Sequence, residues 1–123
     1  MISQIDGLPA GALGFECHGR VTAGEYAGMI APDVEAAFMV NSRLRVLYVF
    51  GADFAGFDAG AVWEDVQTGL RHYIGWERVA IVTDQAWLRV AATALGLAVP
   101  AEVRVFPMAE RAAATAWIAE PSA

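Results

Sequence analysis

The sequence predicts a single α/β domain over residues 1–123, with a mixed, mostly parallel five-stranded sheet, an N-terminal β-hairpin at one edge and about four helices. Residues 44–50 and 78–82 are apolar on nearly both faces, as central strands covered by helices are. Segments with helical periodicity separate the strand-like runs, and this alternation favours parallel strands joined by crossover helices. With 123 residues, the chain is long enough for one core and too short for two ordinary domains.

The first two strands are predicted to form an edge hairpin. Residues 2–5 suit a short strand, and residues 6–11 have the composition of a turn. Apolar and polar side chains then alternate, which is typical of a strand with one wet face. The apolar set is Leu13, Phe15, Cys17 and Val21, and the polar set is Glu16, His18 and Arg20.

The first helix is predicted to begin with a capping box. The Thr22 hydroxyl can accept from the backbone of Glu25, whose carboxylate can reach back to the cap. A helical stripe follows, formed by Tyr26, Ile30, Val34, Ala37 and Phe38. Pro32 interrupts this stripe, so we expect a kink or a break there.

The remaining elements alternate in the same way. A helix is expected over residues 59–73, and Asp84 is the expected N-cap of a helix closed by Gly96. Residues 102–106 alternate like the opposite edge strand, and Pro107 opens a final alanine-rich helix that ends near Ile118. The predicted order is β-β-α-β-α-β-α-β-α.

Composition narrows the class of partner. The net charge of −6 disfavours nucleic acid and anionic membranes, which need a basic surface. No apolar run approaches the roughly 20 residues that span a bilayer, so no integral membrane segment is expected. A lone cysteine, Cys17, and the lack of a visible secretory signal favour the cytoplasm.

The sequence lacks the residues that several kinds of catalytic and cofactor sites need. There is no lysine for a Schiff base, and none of Ser3, Ser42 and Ser122 lies in a G-x-S-x-G turn. No phosphate-binding glycine motif occurs, and Cys17 and His18 lack the spacing of metal ligands. We therefore expect no cofactor and no metal.

One pair of side chains, Asp65 and His72, leaves an enzymatic function as an alternative. Asp65 and His72 share a helix face through Gly69 and could form a general base, although no nucleophile lies beside them in the sequence. His72 near a helix C-terminus also has a purely structural use. Asp58 and Asp84 are expected to act as N-caps before any catalytic role. We therefore expect a protein that is not an enzyme.

The order of elements resembles the SpoIIAA-like branch of the STAS domains, a family also grouped with CRAL-TRIO-type lipid-binding folds. The resemblance covers almost the whole chain and implies a small, non-enzymatic binding or regulatory domain. Its marks are Gly19-Arg20-Val21-Thr22 with Glu25-Tyr26, residues 54–56, Trp63-Glu64-Asp65, residues 78–82 with Trp87, residues 103–106 and Trp117.

One position departs from the phosphorylated members of that family. The resemblance implies an acidic residue followed by a phosphorylatable serine in the turn after the central strand. Asp58 matches the acidic position, but Ala59 and Gly60 follow it and carry no hydroxyl. A phosphoserine switch at this turn is therefore not expected.

The aromatic residues suggest a ligand site. Most are expected in the core, but Phe54 and Phe57 fall in a stretch rich in glycine that we interpret as a loop. The predicted ligand-binding residues are Met29, Phe54, Phe57, Asp58 and Trp63. We expect an apolar cleft for a hydrophobic or lipid-like small molecule. The alternative is a protein-interaction or regulatory domain, for example a homodimer, that uses the same surface.

Overall fold

The computed structural model describes residues 1–58, 61–72 and 75–120, with only the backbone for residues 61–63 and 71–72. Five strands form one sheet in the order β1-β2-β3-β4-β5. They are β1 (Ile2–Gln4), β2 (Ala12–Val21), β3 (Leu44–Phe57), β4 (Trp76–Val82) and β5 (Glu102–Phe106). β1 is antiparallel to β2, and the other neighbouring strands are parallel. The predicted mixed sheet with its hairpin edge is confirmed, and β3 and β4 lie inside it.

Three helices cover one face of the sheet and one helix covers the other. The first helix comprises α1 (Ala23–Glu25), a π-helical segment (Tyr26–Ile30) and α2 (Ala31–Val40). It packs on one face with α3 (Ala61–His72) and α4 (Ala86–Gly96), over Phe15, Val46, Tyr48 and Ile81. A 3₁₀ turn (Met108–Glu110) leads to α5 (Arg111–Ala119), which covers Leu47, Val49, Ala80 and Val82 on the other face. Among the described residues, no helix is long and apolar enough to cross a bilayer.

The central strand is longer than the sequence predicted. We interpreted residues 51–57 as a loop, but β3 continues through them to Phe57. There Phe54 pairs with Gly19 and Phe57 pairs with Val21, beside an irregularity in the β2 register. Gly19 has a φ of 56°, a conformation that glycine adopts without strain. Pairing with the end of β2 thus outweighs the poor strand propensity of Gly51, Asp53 and Gly56.

The first helix adjusts at Pro32 without ending there. The predicted capping box is present, because Thr22 Oγ1 accepts from Glu25 N at 3.1 Å and Thr22 N donates to a Glu25 carboxylate oxygen at 3.3 Å. The backbone stays helical from Ala23 to Val40, and the segment before Pro32 widens into a π turn in which Ala31 N donates to Tyr26 O. Proline lacks an N–H and crowds the preceding turn, so a local widening accommodates it.

Asp84 is not the N-cap that the sequence predicted. The N-cap of α4 is Gln85, whose side chain makes no capping hydrogen bond. The Asp84 carboxylate instead accepts from the backbone N–H of Met108 at 2.9 Å, and so joins the end of β4 to the 3₁₀ turn. Thr83 Oγ1 accepts from Gln85 N at 3.1 Å, which gives the chain its turn into α4.

Candidate functional site

The structure places the predicted ligand-binding residues in more than one environment. Phe54 is only 4% exposed, and Phe57 is half-buried beside it with 5.2 Å between ring centroids. Asp58 follows on the surface, whereas Met29 belongs to the π-helical segment. The side chain of Trp63 lies outside the described residues. The four residues whose side chains are described therefore do not converge on one cleft.

The aromatic residues at the end of β3 form a cluster that includes an unpredicted member. Trp87 of α4 stacks at 6.4 Å on Phe54 and meets Phe57 edge-on at 6.3 Å, while Phe50 completes the cluster below. The Trp87 indole N–H donates to Gln85 Oε1, and the Gln85 amide donates to Phe54 O. These hydrogen bonds fix the indole ring although it is 49% exposed.

Asp58 pairs with a neighbouring strand. Its carboxylate accepts from Arg20 Nε at 3.2 Å, and its backbone N–H donates to Val21 O at 2.8 Å. Residues 59 and 60, which separate Asp58 from α3, lie outside the described residues, so a capping role for Asp58 stays a prediction. In this arrangement Asp58 extends the β2–β3 pairing by one residue.

Met29 lies in a small apolar hollow near the edge of the sheet. This hollow has a volume of about 280 Å³ and is lined by Met1, Ile2, Glu25, Gly28 and Met29. Met29 is 40% exposed there. The hollow is therefore lined by the π-helical segment and the start of β1, apart from the aromatic cluster.

A larger groove runs between the first helix and α3. Its volume is about 420 Å³, within the range of small-molecule sites. The first helix contributes Tyr26, Ala27, Ala31, Val34 and Glu35, and α3 contributes Asp65, Thr68 and Gly69. Small and apolar side chains form most of the floor, and two carboxylates lie at the rim. The π-helical segment lines this groove with Tyr26 and Ala27, and the Met29 hollow with Gly28 and Met29.

A close approach at Tyr26 sets the width of the groove. The Tyr26 hydroxyl donates to the backbone carbonyl of Asp65 at 3.3 Å. A Cβ added at Gly69 would lie 3.1 Å from that hydroxyl oxygen, so glycine lets α3 come near. The Trp76 indole N–H donates to Gly69 O at 3.3 Å and attaches α3 to β4. Sequence reasoning assigned Tyr26 to the core stripe and missed this groove, because its two walls are 39 residues apart in the chain.

The chemistry of the groove favours binding. Among its described lining residues there is no cysteine, serine, lysine or histidine, and the polar groups are the hydroxyls of Tyr26 and Thr68 and the carboxylates of Glu35 and Asp65. In the predicted Asp65–His72 pair, the His72 side chain lies outside the described residues. Within the described part of the chain, no three His, Cys, Asp or Glu side chains are placed to hold a metal ion.

A polar cluster lies apart from this groove. His18 Nδ1 is 3.0 Å from Asp53 Oδ1, and His18 Nε2 is 3.2 Å from Glu16 Oε1. Arg111 donates to the other Glu16 oxygen at 2.9 Å. The hydrogen bond from His18 lowers the pKa of Asp53. The predicted wet face of β2 thus carries polar side-chain contacts that join β2 to β3 and α5.

Comparison with protein families matches residues 12–119 to the SpoIIAA-like family. The chain belongs to the SpoIIAA-like family. Domains of this family are in general non-enzymatic and act in binding or regulation. The resemblance that the sequence suggested is therefore confirmed, and the chain is assigned to a binding or regulatory class of domain.

A solved structure supports the same fold. The chain is similar to an uncharacterised DUF3478-family protein with a SpoIIAA-like fold from Shewanella loihica PV-4. The two share 24% sequence identity, with a TM-score of 0.69, over 96% of this chain and 92% of that chain. No curated protein matches the chain. At this identity the similarity establishes the architecture alone.

Proposed function

We propose that this SpoIIAA-like domain is a non-catalytic module that binds a hydrophobic or lipid-like small molecule in the groove between the first helix and α3. The observation that carries the proposal is the 420 Å³ groove, with its apolar floor and polar rim. Ligand sites combine these features, because apolar walls supply affinity and a few polar groups orient the ligand. A cytoplasmic location belongs to the same proposal, and the single buried cysteine supports it.

The rim supports a particular kind of head group. Glu35 and Asp65 both line the groove, and the chain as a whole carries a charge of −6. A carboxylate or phosphate head group would meet like charge there, whereas an amine or a neutral hydroxyl would be accepted. We therefore expect a preference for cationic or uncharged amphiphiles over fatty acids of the same length.

The π-helical segment gives the groove a means to adapt. Single π turns in α-helices occur often at functional sites, and this one lines both the groove and the Met29 hollow. Met29, Phe57, Asp58 and Trp63 are not among the described lining residues of this groove, and their role as ligand contacts stays a separate prediction. Phe54, being buried, would act by supporting Phe57 and Trp87.

A groove-filling variant tests the proposal. Ala31→Phe places a ring in the groove, and Ala36→Phe makes the same change at an exposed position of α2 outside it. We expect Ala31→Phe to weaken binding of the neutral dye Nile red about tenfold or more, equivalent to roughly 1.4 kcal/mol, and Ala36→Phe to leave it unchanged. Equal affinity of both variants for Nile red would overturn the proposal. A wild type that binds neither Nile red nor a long-chain fatty amine would also overturn it.

Native mass spectrometry of protein purified from cells supplies an independent readout. An amphiphile retained on the wild type and lost from Ala31→Phe would support the groove. Retention by both variants would place the ligand elsewhere in the protein and contradict the assignment.

The second candidate function is a protein-interaction or regulatory domain of the STAS type without the phosphoserine. The observation that favours it is the half-exposed Trp87 beside Phe57, a rigid aromatic surface of the kind that anchors partners. A Phe57→Asp variant that stays folded should lose a partner that the wild type binds. A partner retained in full by that variant would count against this surface.

A further inference from the structure

The helix α4 carries apolar residues on two faces. Leu88, Ala92 and Leu95 face the core, as expected of a helix packed on a sheet. Trp87, Val90, Ala94 and Leu97 follow at intervals of three, four and three residues, and all four are exposed. Val90 is 71% exposed and Leu97 is 90% exposed. We call these four residues the outer stripe. A helix on the surface of a monomer normally carries polar residues there.

One end of the outer stripe is already held in place. The Trp87 ring packs against Phe54 and Phe57, and its N–H donates to Gln85. Its free surface is therefore presented without an unsatisfied donor and with little rotational freedom to lose. Such preorganised tryptophan side chains are the residues that contribute most to protein interfaces.

The shape at the centre of the outer stripe allows two copies of this surface to pack against each other. A shallow hollow of about 410 Å³ is lined by Arg89, Val90, Thr93, Ala94 and Leu97. The small residues Thr93 and Ala94 lie in the middle, with Val90 on one side and Leu97 on the other. In an antiparallel pairing about a two-fold axis near Ala94, Val90 of each copy would lie against Leu97 of the other.

The charge distribution leaves the outer stripe as a surface at which a second copy can approach. The chain carries a net charge of −6, so two copies repel over most orientations. Residues 85–101 contain no acidic residue and a single basic one, Arg89. The Arg89 guanidinium donates to Thr83 O at 3.0 Å and is held near the start of α4. Two outer stripes can therefore meet without bringing carboxylates together.

We propose that the outer stripe is a self-association surface through which two copies of this chain pair by antiparallel packing of α4. This gives the protein-interaction candidate a definite partner, and it does not depend on a ligand in the groove. A single helix face buries less than the roughly 800 Å² per partner of a stable interface. The dimer is accordingly weak and concentration-dependent.

Sedimentation equilibrium over a series of protein concentrations tests this pairing. The wild-type mass should rise from 13.1 kDa toward twice that value, and added salt should strengthen association by screening the repulsion. Val90→Glu should weaken association about tenfold or more, which corresponds to about 1.4 kcal/mol. Val40→Glu adds the same charge at an 82% exposed valine of α2 and should associate like the wild type. A wild type that stays monomeric throughout, or equal losses in both variants, would overturn the proposal.

Cross-linking tests the two-fold geometry. Because Cys17 is buried, an introduced cysteine is the only accessible thiol among the described residues. Ala94→Cys should form an interchain disulfide under mild oxidation, since residues near the axis come within the distance that a disulfide requires. Val40→Cys should associate like the wild type without forming an interchain disulfide, and equal cross-linking of both variants would contradict the axis. Nile red binding by Val90→Glu should match that of the wild type. This measurement distinguishes a failure of the self-association proposal from a failure of the proposal that the groove binds a ligand.

Discussion

The hydroxyl group of Tyr26 donates a hydrogen bond to the backbone carbonyl of Asp65 at 3.3 Å, and joins the π-helical segment to α3. Both helices leave the sheet at adjoining strand ends, since Val21 and Phe57 are paired immediately before them. The hydrogen bond therefore joins the two walls of the groove, since Tyr26 and Asp65 both line it.

Replacing Tyr26 by phenylalanine should loosen that contact. We expect Tyr26→Phe to lower the free energy of unfolding by about 0.5–1 kcal/mol, the lower range for a hydrogen bond that solvent can reach. Amide hydrogen exchange should rise in the π-helical segment and α3 before it rises in β3. A uniform rise across the whole domain would show instead that Tyr26 supports the fold as a whole.

Truncating different side chains of the aromatic cluster should lower the free energy of unfolding by different amounts. Phe54 is fully packed by Phe50, Phe57 and Trp87, so Phe54→Ala should cost about 3–5 kcal/mol in the free energy of unfolding. Phe57→Ala should cost clearly less, because Phe57 is half-buried. Urea denaturation of the two variants measures the difference. Equal costs would indicate that Phe54 lies at an open surface.

The sheet was predictable from local pattern, except where pairing over long distances decides the structure. Residues 44–50 predict a buried strand, because all of them except Arg45 are apolar and both faces are therefore largely apolar. Residues 51–57 carry glycine and aspartate, whose propensity favours a loop. They form a strand because the end of β2 offers backbone partners about 35 residues earlier, a contact that no local window contains.

The candidate site was less predictable than the sheet for a related reason. Phe57 and Asp58 were predicted as ligand contacts because we interpreted them as following the central strand, and this role stays a prediction. Trp87 joins them because α4 packs beside the end of β3. The Asp84 carboxylate accepts from the backbone N–H of Met108, which follows the neighbouring strand β5. A capping motif such as Thr22 and Glu25 is local and was predicted correctly, whereas these contacts depend on tertiary packing.

The His18–Asp53 contact predicts a response to acid. The hydrogen bond from His18 lowers the pKa of Asp53 from its ordinary value of 3.8. The stability from this contact is therefore present above that value and is lost as pH falls through the lowered pKa. His18→Ala should return the Asp53 pKa toward 3.8, as measured by NMR titration of the carboxyl carbon. An unchanged Asp53 titration in that variant would show that another group is responsible.

Two glycines predict opposite effects of the same substitution. A Cβ at Gly75 would lie 2.7 Å from a Phe38 ring carbon and even nearer the Ser42 carbonyl oxygen, so Gly75→Ala should destabilise the fold by about 1–3 kcal/mol. Gly28 lies in the π-helical segment with nothing within 4 Å of an added Cβ. Gly28→Ala should stabilise by up to about 1 kcal/mol, because alanine suits a helix better. Thermal unfolding of both variants compares them, and a stabilised Gly75→Ala would contradict the close packing at the start of β4.

The buried thiol of Cys17 predicts a loss of stability at high pH. Burial raises the pKa of Cys17 from 9.0 to about 12, because the thiolate would lose its hydration. Above pH 9.0 the unfolded chain releases this proton while the folded chain keeps it, so the unfolded state binds fewer protons and stability falls as pH rises. The Cys17 contribution to this slope approaches about 1.4 kcal/mol per pH unit.

The same thiol can be tested by substitution. Cys17→Ala should remove this part of the slope just above pH 9.0, although burial also raises the pKa of Tyr48 and its phenol contributes at higher pH. The comparison uses slopes of unfolding free energy against pH, since the lost side chain changes the absolute value. In the native wild type, a thiol reagent should react only as fast as the core opens, because the reactive form is the thiolate. Rapid labelling of native protein, or identical slopes with and without the thiol, would place Cys17 outside the dry core between the sheet and the first helix.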